Sequence, residues 1–139
     1  VLFECGAYDV DLDALRAANP ALVTVSLSPF GADGPKSDWL ATDIVLHAAS
    51  GEMSLNGYKD RPPVRISAPQ VWVNAAAEAA CAAMIALTDR RMTGFGQHVD
   101  VSMLGALSAL MAGEAFDVLE SLGIPLRTGA TVPRTPPDR

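Results

Sequence analysis

An alanine-rich stretch, residues 75–92, most constrains what this chain of 139 residues can fold into. Alanine has the highest intrinsic helix propensity, and its small side chain lets a neighbouring backbone come close. Asn74 supplies an N-cap side chain before the stretch, and Gly94 and Gly96 supply a turn after it. The sequence therefore predicts a long helix that packs closely against a neighbouring layer.

Two short segments outside this helix predict strands, and the first of them is typical of a buried strand in a parallel sheet. Residues 21–28 are almost wholly apolar, and residues 97–101 form a short, β-branched run. Ser102 is placed to cap a second long helix that ends near residue 121. Helices and strands that alternate in this way predict an α/β fold in which crossover connections join parallel strands.

The remaining segments predict smaller elements. Residues 11–19 and 40–50 indicate short helices, because their apolar residues recur at helical spacing and breaker residues follow them. Residues 53–56 are expected to form a brief strand. In residues 64–73, Pro69 argues against a regular central strand, so the structure of this segment stays open.

The composition permits a sizeable core and argues against two kinds of partner. Half of the residues are hydrophobic and 19% are charged, which is unlike a disordered chain. The net charge is −6 and no lysine or arginine run occurs, so nucleic acid is not expected as a partner. The longest apolar run, residues 79–87, is shorter than the roughly 20 residues that span a bilayer, so no membrane is expected either.

The cysteines and histidines are too far apart in sequence to predict a disulfide or a metal site. Cys5 and Cys81 lack CxxC spacing, and Cys81 lies in the apolar helical stretch, where we expect a small core residue. A whole βα unit separates His47 from His98, so no metal is expected. This cysteine usage is typical of a reducing compartment, and we expect a cytoplasmic protein.

A glycine loop at residues 29–35 follows the first apolar run. Open α/β sheets bind ligands beyond the carboxyl ends of their strands, so this loop is a candidate ligand-binding segment. It is not a phosphate-binding P-loop, because Pro35 follows Gly34 where that motif needs lysine. The side chains that could help to hold an anionic small ligand are Lys36, Arg61 and Arg65. Local chemistry thus predicts an α/β domain and leaves its reaction open.

Four sequence stretches are more specific than any single motif. The first is L-R-A-A-N-P at residues 15–20, which runs into L-V-T-V-S-L-S and P-F-G-A-D-G-P. The second is A-T-D-I-V-L-H-A-A-S-G at residues 41–51, followed by M-S-L-N-G, and the third is P-P-V-R-I at residues 62–66. The fourth is T-G-F-G-Q-H-V-D-V-S-M-L at residues 93–104. In this order they resemble the family III CoA-transferases, the carnitine and formyl-CoA transferase (CaiB/BaiF-like) superfamily, over roughly residues 10–112.

This resemblance implies a Rossmann-like fragment of a large domain, with a long alanine-rich helix and parallel strands. Residues 1–139 would be a single partial domain from the middle of that large domain, with residues 126–139 as an irregular C-terminal segment. Family members are longer chains whose two subunits thread through each other, so the resemblance implies an interlocked homodimer. It also implies acyl-CoA and a carboxylic acid as substrates, and no permanently bound cofactor.

The resemblance places a tryptophan where the family has its catalytic aspartate. That aspartate attacks the acyl-CoA thioester and gives a mixed anhydride, then an aspartyl-CoA thioester that passes CoA to an acceptor carboxylate. Counting back without gaps from T-G-F-G-Q leads to Trp72, whose indole can form neither intermediate. Three explanations stay open. Asp43, Glu78 or a carboxylate outside this chain could replace it; the domain could be inactive and bind acyl-CoA or stabilise a partner; or the count could contain a local gap.

The superfamily also contains 2-methylacyl-CoA racemases, which pair a histidine with an aspartate as acid and base. Those positions map to Thr42 and Trp72, so a racemase has less support. The resemblance implies that the ligand-side loop and the nearest polar groups are Phe30, Gly31, Gly34, Asp43 and Gln70. Gly94, Gly96 and Gln97 are expected to be structural, because they form the turn into the strand.

Overall fold

A parallel sheet of three strands lies at the centre of the fold. The computed structural model describes residues 1–6, 9–56 and 61–111. Its strands are β1 (Leu2–Glu4), β2 (Thr24–Ser28) and β3 (His98–Ser102). They lie in the order β1-β2-β3, and all pairs are parallel, which confirms the predicted α/β fold. Thr24 pairs with His98 at the amino ends, so Ser28 and Ser102 end side by side at the carboxyl edge.

The helices in the described residues are α1 (Leu12–Ala18), α2 (Asp43–Ala49), a short 3-10 helix (Glu52–Leu55), α3 (Gln70–Thr93) and α4 (Met103–Leu110). Of these, α3 and α4 pack on the sheet. Asp11 caps α1 by accepting a hydrogen bond from the Ala14 N–H, and Ser102 caps α4 by accepting one from the Gly105 N–H at 3.1 Å. The predicted end of the last helix near residue 121 and the predicted irregular segment 126–139 lie outside the described residues.

The alanine stripe of α3 forms the contact with the sheet. Ala79, Ala83 and Ala86 are buried, and they pack against Val23, Val25 and Val101 from the strands. Their spacing of four and then three residues keeps them on one face of the helix. The absence of longer side chains on this face lets the helix lie close to the strands, as the alanine-rich sequence predicted.

A second buried cluster lies at the carboxyl end of the sheet, where α2, α3 and α4 meet. Leu46 from α2, Val71 and Ala75 from α3, and Met103 and Leu107 from α4 are each at most 2% exposed. Burial of such side chains stabilises a fold by roughly 1.5–3 kcal/mol for each Val, Leu or Met. This cluster therefore holds the first turns of α2, α3 and α4 together beside the strand ends.

The predicted start of the long helix at Asn74 is wrong, because α3 begins at Gln70 with Pro69 at its N-cap. Proline lacks an N–H, and at a helix start that donor has no partner within the helix in any case. Val71 is fully buried beside Leu46, so tertiary packing favours the additional turn. Asn74 consequently lies inside the helix.

The brief strand predicted at residues 53–56 is also wrong, because this segment forms the 3-10 helix. Gly51 adopts a left-handed φ of 85° and reverses the chain directly after α2. The Asn56 side-chain amide donates to the Glu52 carbonyl oxygen at 3.1 Å and closes the short helix. A local turn and a side-chain hydrogen bond thus outweigh the weak strand propensity of M-S-L-N.

The turn after α3 has the structural role that the sequence predicted. Gly94 ends the helix with a left-handed φ of 80°. Gly96 donates its N–H to the Pro20 carbonyl oxygen at 2.8 Å, and a Cβ at Gly96 would overlap the Leu22 carbonyl group. The Gln97 carbonyl oxygen accepts the Thr24 N–H at 3.1 Å, which starts the β2–β3 pairing.

The outer face of α3 is apolar and exposed. Met84, Ile85 and Met92 are between 63% and 85% exposed, and Cys81 is exposed as well. The expectation that Cys81 is a core residue is therefore wrong, because it lies about 200° around the helix from Ala79.

The length and the hydropathy of α3 also meet the criterion for a membrane-spanning helix. Core helices of soluble proteins meet the same criterion, so it is weak evidence for a membrane span.

Candidate functional site

The loop that follows β2 is fixed to the carboxyl end of β3 by two hydrogen bonds. The Leu104 N–H in α4 donates to the Pro29 carbonyl oxygen at 3.0 Å. The Ala32 N–H donates to Asp100 Oδ2 at 2.8 Å, and this carboxylate belongs to β3. Because carboxyl edges of parallel strands are the ligand-binding edges of open α/β sheets, the loop is positioned at a candidate site.

Gly31 and Gly34 give this loop its shape, with φ values of 91° and 108°. These conformations lie in the region that residues with a Cβ rarely adopt. A Cβ on Gly31 would lie 3.5 Å from both Asp100 Oδ2 and Ser102 Cβ. These are ordinary van der Waals distances, so it is the left-handed φ, and not a lack of space beside β3, that favours glycine at this position.

Phe30 belongs to an aromatic and cationic group beside the loop. Its ring packs edge-to-face on Trp39, with the ring centroids 6.1 Å apart. The Lys36 ammonium lies 5.8 Å from the Phe30 centroid and 5.2 Å from the Trp39 centroid. The sequence predicts Lys36 as a possible anion-binding group. In the structure its ammonium lies over two aromatic rings, and the residue directly follows the ligand-side loop.

Asp43 lies in the first turn of α2 and is part of a group of four charged or ionisable side chains. Arg65 Nη1 donates to Asp43 Oδ2 at 2.7 Å. His47 Nε2 lies 3.4 Å from the same oxygen, one helical turn along α2. The other ring nitrogen of His47, Nδ1, contacts Glu52 Oε2. We call these four residues, Asp43, His47, Glu52 and Arg65, the Asp43 cluster.

The Asp43 cluster is largely removed from solvent. The side chains are 1% exposed for His47, 12% for Asp43, 14% for Glu52 and 37% for Arg65. Within the described part of the chain, Asp43 Oδ1, both ring nitrogens of His47 and Glu52 Oε2 are buried and form no hydrogen bond. A buried carboxylate oxygen without a hydrogen bond is energetically unfavourable and requires an explanation. Asp43 thus has one oxygen, Oδ2, in contact with Arg65 and His47, and a second oxygen, Oδ1, that is buried without a hydrogen bond in the described residues.

Trp72 lies in the first turn of α3 and is 44% exposed. The residue before it, Val71, packs with Leu46 in the second buried cluster, so the starts of α2 and α3 are neighbours. This packing places Asp43 and Trp72 at the same end of the sheet. Gln70, the first residue of α3, is half-buried, and its own N–H donates to the Ala68 carbonyl oxygen at 2.9 Å.

Glu78 belongs to a different surface. It follows Trp72 by six residues, so it lies roughly 9 Å further along the helix axis and on another face. It lines a cavity of 230 Å³ with Asp100 and Ser102 from β3. The rest of that wall is apolar and consists of Ala82, Val99, Val101, Gly105, Ala106 and Ala109. Of the two candidate carboxylates from the sequence, only Asp43 lies in a buried ionic group.

The other histidine lies at the opposite end of the strands. His98 is the first residue of β3, and its Nδ1 forms a 2.9 Å hydrogen bond with Thr24 Oγ1. It lines a second cavity, of 380 Å³, beside the start of α1, next to Asp11, Asp13 and Arg16. Because this is the amino edge of the sheet, His98 is separated from the Asp43 cluster.

The sequence predicted Asp43 as a candidate and missed its partners. The i, i+4 spacing of Asp43 and His47 on a predicted helix is a signal that could have shown that they meet. The sequence predicts Arg65 only as a ligand-binding cation, and it predicts no role for Glu52. Asp100 was not singled out, although its position between Val99 and Val101 gives an alternating strand pattern with a polar residue facing outward.

Comparison with known proteins gives consistent results. CoA-transferase family III matches residues 5–139 of the chain. The succinate–glutarate CoA-transferase of Agrobacterium fabrum is 31% identical over 130 residues, which cover 94% of this chain and 32% of that protein. The succinyl-CoA–D-citramalate CoA-transferase of Chloroflexus aurantiacus is 34% identical over 125 residues, which cover 90% of this chain and 31% of that protein.

The fold has a close counterpart among solved structures. The crystal structure of a CaiB/BaiF family protein from Brucella suis has a TM-score of 0.78 at 32% sequence identity. The match covers 86% of this chain and 32% of that chain. The chain therefore spans about a third of the length of the relatives it matches, and it has the α/β fold that the sequence resemblance implied.

Proposed function

The chain belongs to CoA-transferase family III, and on this premise we propose that the protein moves CoA between an acyl-CoA thioester and a carboxylic acid. The observation that carries this proposal is the carboxylate of Asp43 at the carboxyl end of the sheet. Arg65 and His47 hold its Oδ2, while its Oδ1 lacks a hydrogen bond in the described residues. Asp43 would take the role of the family aspartate, whose position by ungapped counting is Trp72.

The proposed reaction needs one carboxylate nucleophile and no redox partner. An Oδ1 lone pair attacks the thioester carbonyl carbon, the C–S bond breaks, and CoA leaves as a thiolate from a mixed anhydride. The thiolate then attacks the aspartyl carbonyl carbon and releases the donor acid as a carboxylate. The acceptor carboxylate attacks the carbonyl carbon of the resulting aspartyl-CoA thioester, the C–S bond breaks, and CoA thiolate leaves from a second mixed anhydride. The thiolate then attacks the acceptor carbonyl carbon of this anhydride, which gives the new acyl-CoA and releases Asp43 as a carboxylate.

Burial of the Asp43 cluster suits this chemistry. Because a buried site excludes water, the acyl group reacts with the carboxylate and not with water, and the anhydride intermediate is protected from hydrolysis. The Arg65 guanidinium provides a fixed positive charge that partly offsets the carboxylates of the cluster. Arg65 also contacts the nucleophile directly, so it would help to hold the carboxylate in a reactive geometry.

The substrate acyl-CoA would bind along the loop after β2. Phe30, Gly31 and Gly34 shape this loop, and Gln70 provides a polar group at the start of α3. CoA is then a substrate and not a resident cofactor, and the second substrate is a carboxylic acid. From the resemblance we also propose that the complete protein is an interlocked homodimer in the cytoplasm.

The alternative function is a domain that binds acyl-CoA or stabilises a partner without catalysis. Trp72 favours it, because an indole at the family position of the aspartate cannot form an anhydride. A 2-methylacyl-CoA racemase has less support, since Thr42 and Trp72 provide neither of the paired acid and base groups. A labelling experiment with acyl-CoA distinguishes these functions, because only the transferase acylates a carboxylate of the protein.

We predict that acyl-CoA labels Asp43 in the protein expressed from its complete gene. The protein is incubated with a panel of acyl-CoA thioesters and treated with hydroxylamine, which converts an activated carboxylate into a hydroxamate. Mass spectrometry should find the hydroxamate on Asp43, and Asp43→Asn should abolish both this product and CoA transfer. Glu78→Gln is the matched control and should retain both, because Glu78 lies on a different face of α3.

Two results would contradict this assignment in different ways. A hydroxamate on Glu78 or on another carboxylate would keep the transferase function and reject Asp43 as its nucleophile. Measurable CoA binding without any hydroxamate, for every thioester in the panel, would reject the transferase and favour the non-catalytic acyl-CoA-binding domain.

A further inference from the structure

His47 is the most buried ionisable side chain of the Asp43 cluster. The ring is 1% exposed, and each of its nitrogens faces a carboxylate oxygen. Asp43 precedes it by one turn on α2, whereas Glu52 reaches it from the 3-10 helix after the Gly51 turn. The imidazole therefore connects two carboxylates that belong to two separate elements.

The ionisable groups of the cluster contact one another. His47 Nε2 lies 3.4 Å from Asp43 Oδ2, and Nδ1 contacts Glu52 Oε2, although neither ring nitrogen forms a hydrogen bond within the described residues. The Arg65 guanidinium adds a positive charge at Asp43 Oδ2. Mutual contact between ionisable side chains offsets part of the cost of burying them.

The contacts with Asp43 are asymmetric. Both Arg65 and His47 approach Oδ2, and Oδ1 is left without a hydrogen bond in the described residues. Two contacts on one oxygen fix the rotation of the carboxylate about its Cβ–Cγ bond, so the direction of Oδ1 is fixed as well. Glu52 does not touch Asp43, but it holds the imidazole from the opposite side.

We propose that His47 is a positioning residue for Asp43, and that Glu52 holds His47 in place for this purpose. This inference rests on the proposed function, because it assigns Oδ1 of Asp43 as the attacking atom. His47 itself does not touch the acyl group, since its ring is buried behind the carboxylate. Its effect is to keep Oδ1 aimed at the thioester carbon, where a displacement of about 1 Å can lower a rate by about 100-fold.

A pair of amide substitutions tests this role. In His47→Gln the side-chain amide reaches the position of Nε2 and can donate to Asp43. In His47→Asn the shorter side chain reaches only the position of Nδ1 and can contact Glu52 but not Asp43. The two variants introduce the same functional group at the same buried site, so they differ mainly in which carboxylate is contacted.

The measurement is the rate of CoA transfer and of hydroxamate formation at Asp43 in the protein expressed from its complete gene. We expect His47→Asn to lower kcat by about 100-fold while the KM for acyl-CoA stays within about twofold. The kcat of His47→Gln should be at least tenfold higher than the kcat of His47→Asn. His98→Gln, which alters the other histidine at the opposite end of the strands, should leave kcat and KM unchanged.

A double-mutant cycle tests the role of Glu52. Glu52→Ala alone should lower kcat, because the imidazole loses its contact with Glu52 Oε2. Combined with His47→Asn it should cause no further loss, since Glu52 acts only through His47. Additive losses would show that Glu52 acts independently and would overturn its part of the proposal.

The outcomes separate this proposal from the proposed function. If the unmodified protein transfers CoA through Asp43 but His47→Gln and His47→Asn have equal kcat, His47 does not position Asp43. If both variants lose kcat equally and both have a lower thermal unfolding midpoint, His47 has a structural role only. If the unmodified protein forms no hydroxamate at Asp43, the proposed nucleophile itself is rejected, and the positioning role is rejected with it.

Discussion

At the scale of single residues, Gly96 determines how closely the turn after α3 approaches the segment before β2. We predict that Gly96→Ala lowers the free energy of unfolding by about 3 kcal/mol or more, because its Cβ would overlap the Leu22 carbonyl group. The contact is with backbone, so no side-chain rotation can relieve it. Urea unfolding of the purified variant measures the change.

Gly105→Ala is the matched control for this prediction. Gly105 lies in α4, and a Cβ there would approach Ser102 Cβ at 3.3 Å, which requires only a small shift. Alanine is favoured over glycine in a helix by about 1 kcal/mol, which offsets that shift. A loss at Gly105→Ala as large as that at Gly96→Ala would contradict the argument from backbone overlap.

Sequence motifs located individual site residues better than they located the contacts between them. Asp43 was predicted from its position in a family-like motif, and its pairing with His47 follows from helical spacing. Arg65 follows Asp43 by 22 residues, and no local rule connects the two; only the path of residues 61–69 brings them together. Glu52 contacts His47 because the chain turns at Gly51 and continues as a 3-10 helix. A strand at residues 53–56, which the sequence predicts, gives no reason to expect this contact.

At the scale of elements, α3 tests whether close packing by alanine is required. We predict that Ala83→Leu lowers the free energy of unfolding by about 1–3 kcal/mol, because the buried face of α3 contacts Val23, Val25 and Val101 without space for a larger side chain. The change is measured by urea or thermal unfolding.

Ala80→Leu is the control for the same helix and the same substitution. Ala80 is exposed, so the leucine side chain extends into solvent and the free energy of unfolding should change by less than about 0.5 kcal/mol. Equal effects at both positions would show that helix propensity, and not packing against the sheet, determines the result.

The types of the long elements were predictable, but their ends were decided by tertiary contacts. Propensity alone predicted a helix after Asn74, and the burial of Val71 beside Leu46 moved its start to Gln70. The strand β1 was not predicted, because three residues carry too little periodicity to distinguish a strand from a loop. It exists because it pairs with β2, which is a contact between segments that are distant in sequence.

At the scale of the whole molecule, the fold class and the family follow from the order of the elements and motifs, whereas the surfaces do not. In the described residues β3 pairs only with β2, so one of its edges is free. The outer face of α3 exposes Met84, Ile85 and Met92. A free strand edge and an exposed apolar face both favour association with another protein surface.

We therefore predict that residues 1–139, expressed alone, associate in solution at micromolar concentration. The apparent mass from size-exclusion chromatography with light scattering should exceed 14.5 kDa and rise with protein concentration. Ile85→Lys places a charge in the middle of the apolar face of α3 and should shift the population towards the monomer. Arg91→Lys, which preserves the charge on the same helix, is the control and should not change the distribution. A monomer at all concentrations would show that the exposed face of α3 does not drive association, whereas association unaffected by Ile85→Lys would assign it to another surface, such as the free edges of β1 and β3.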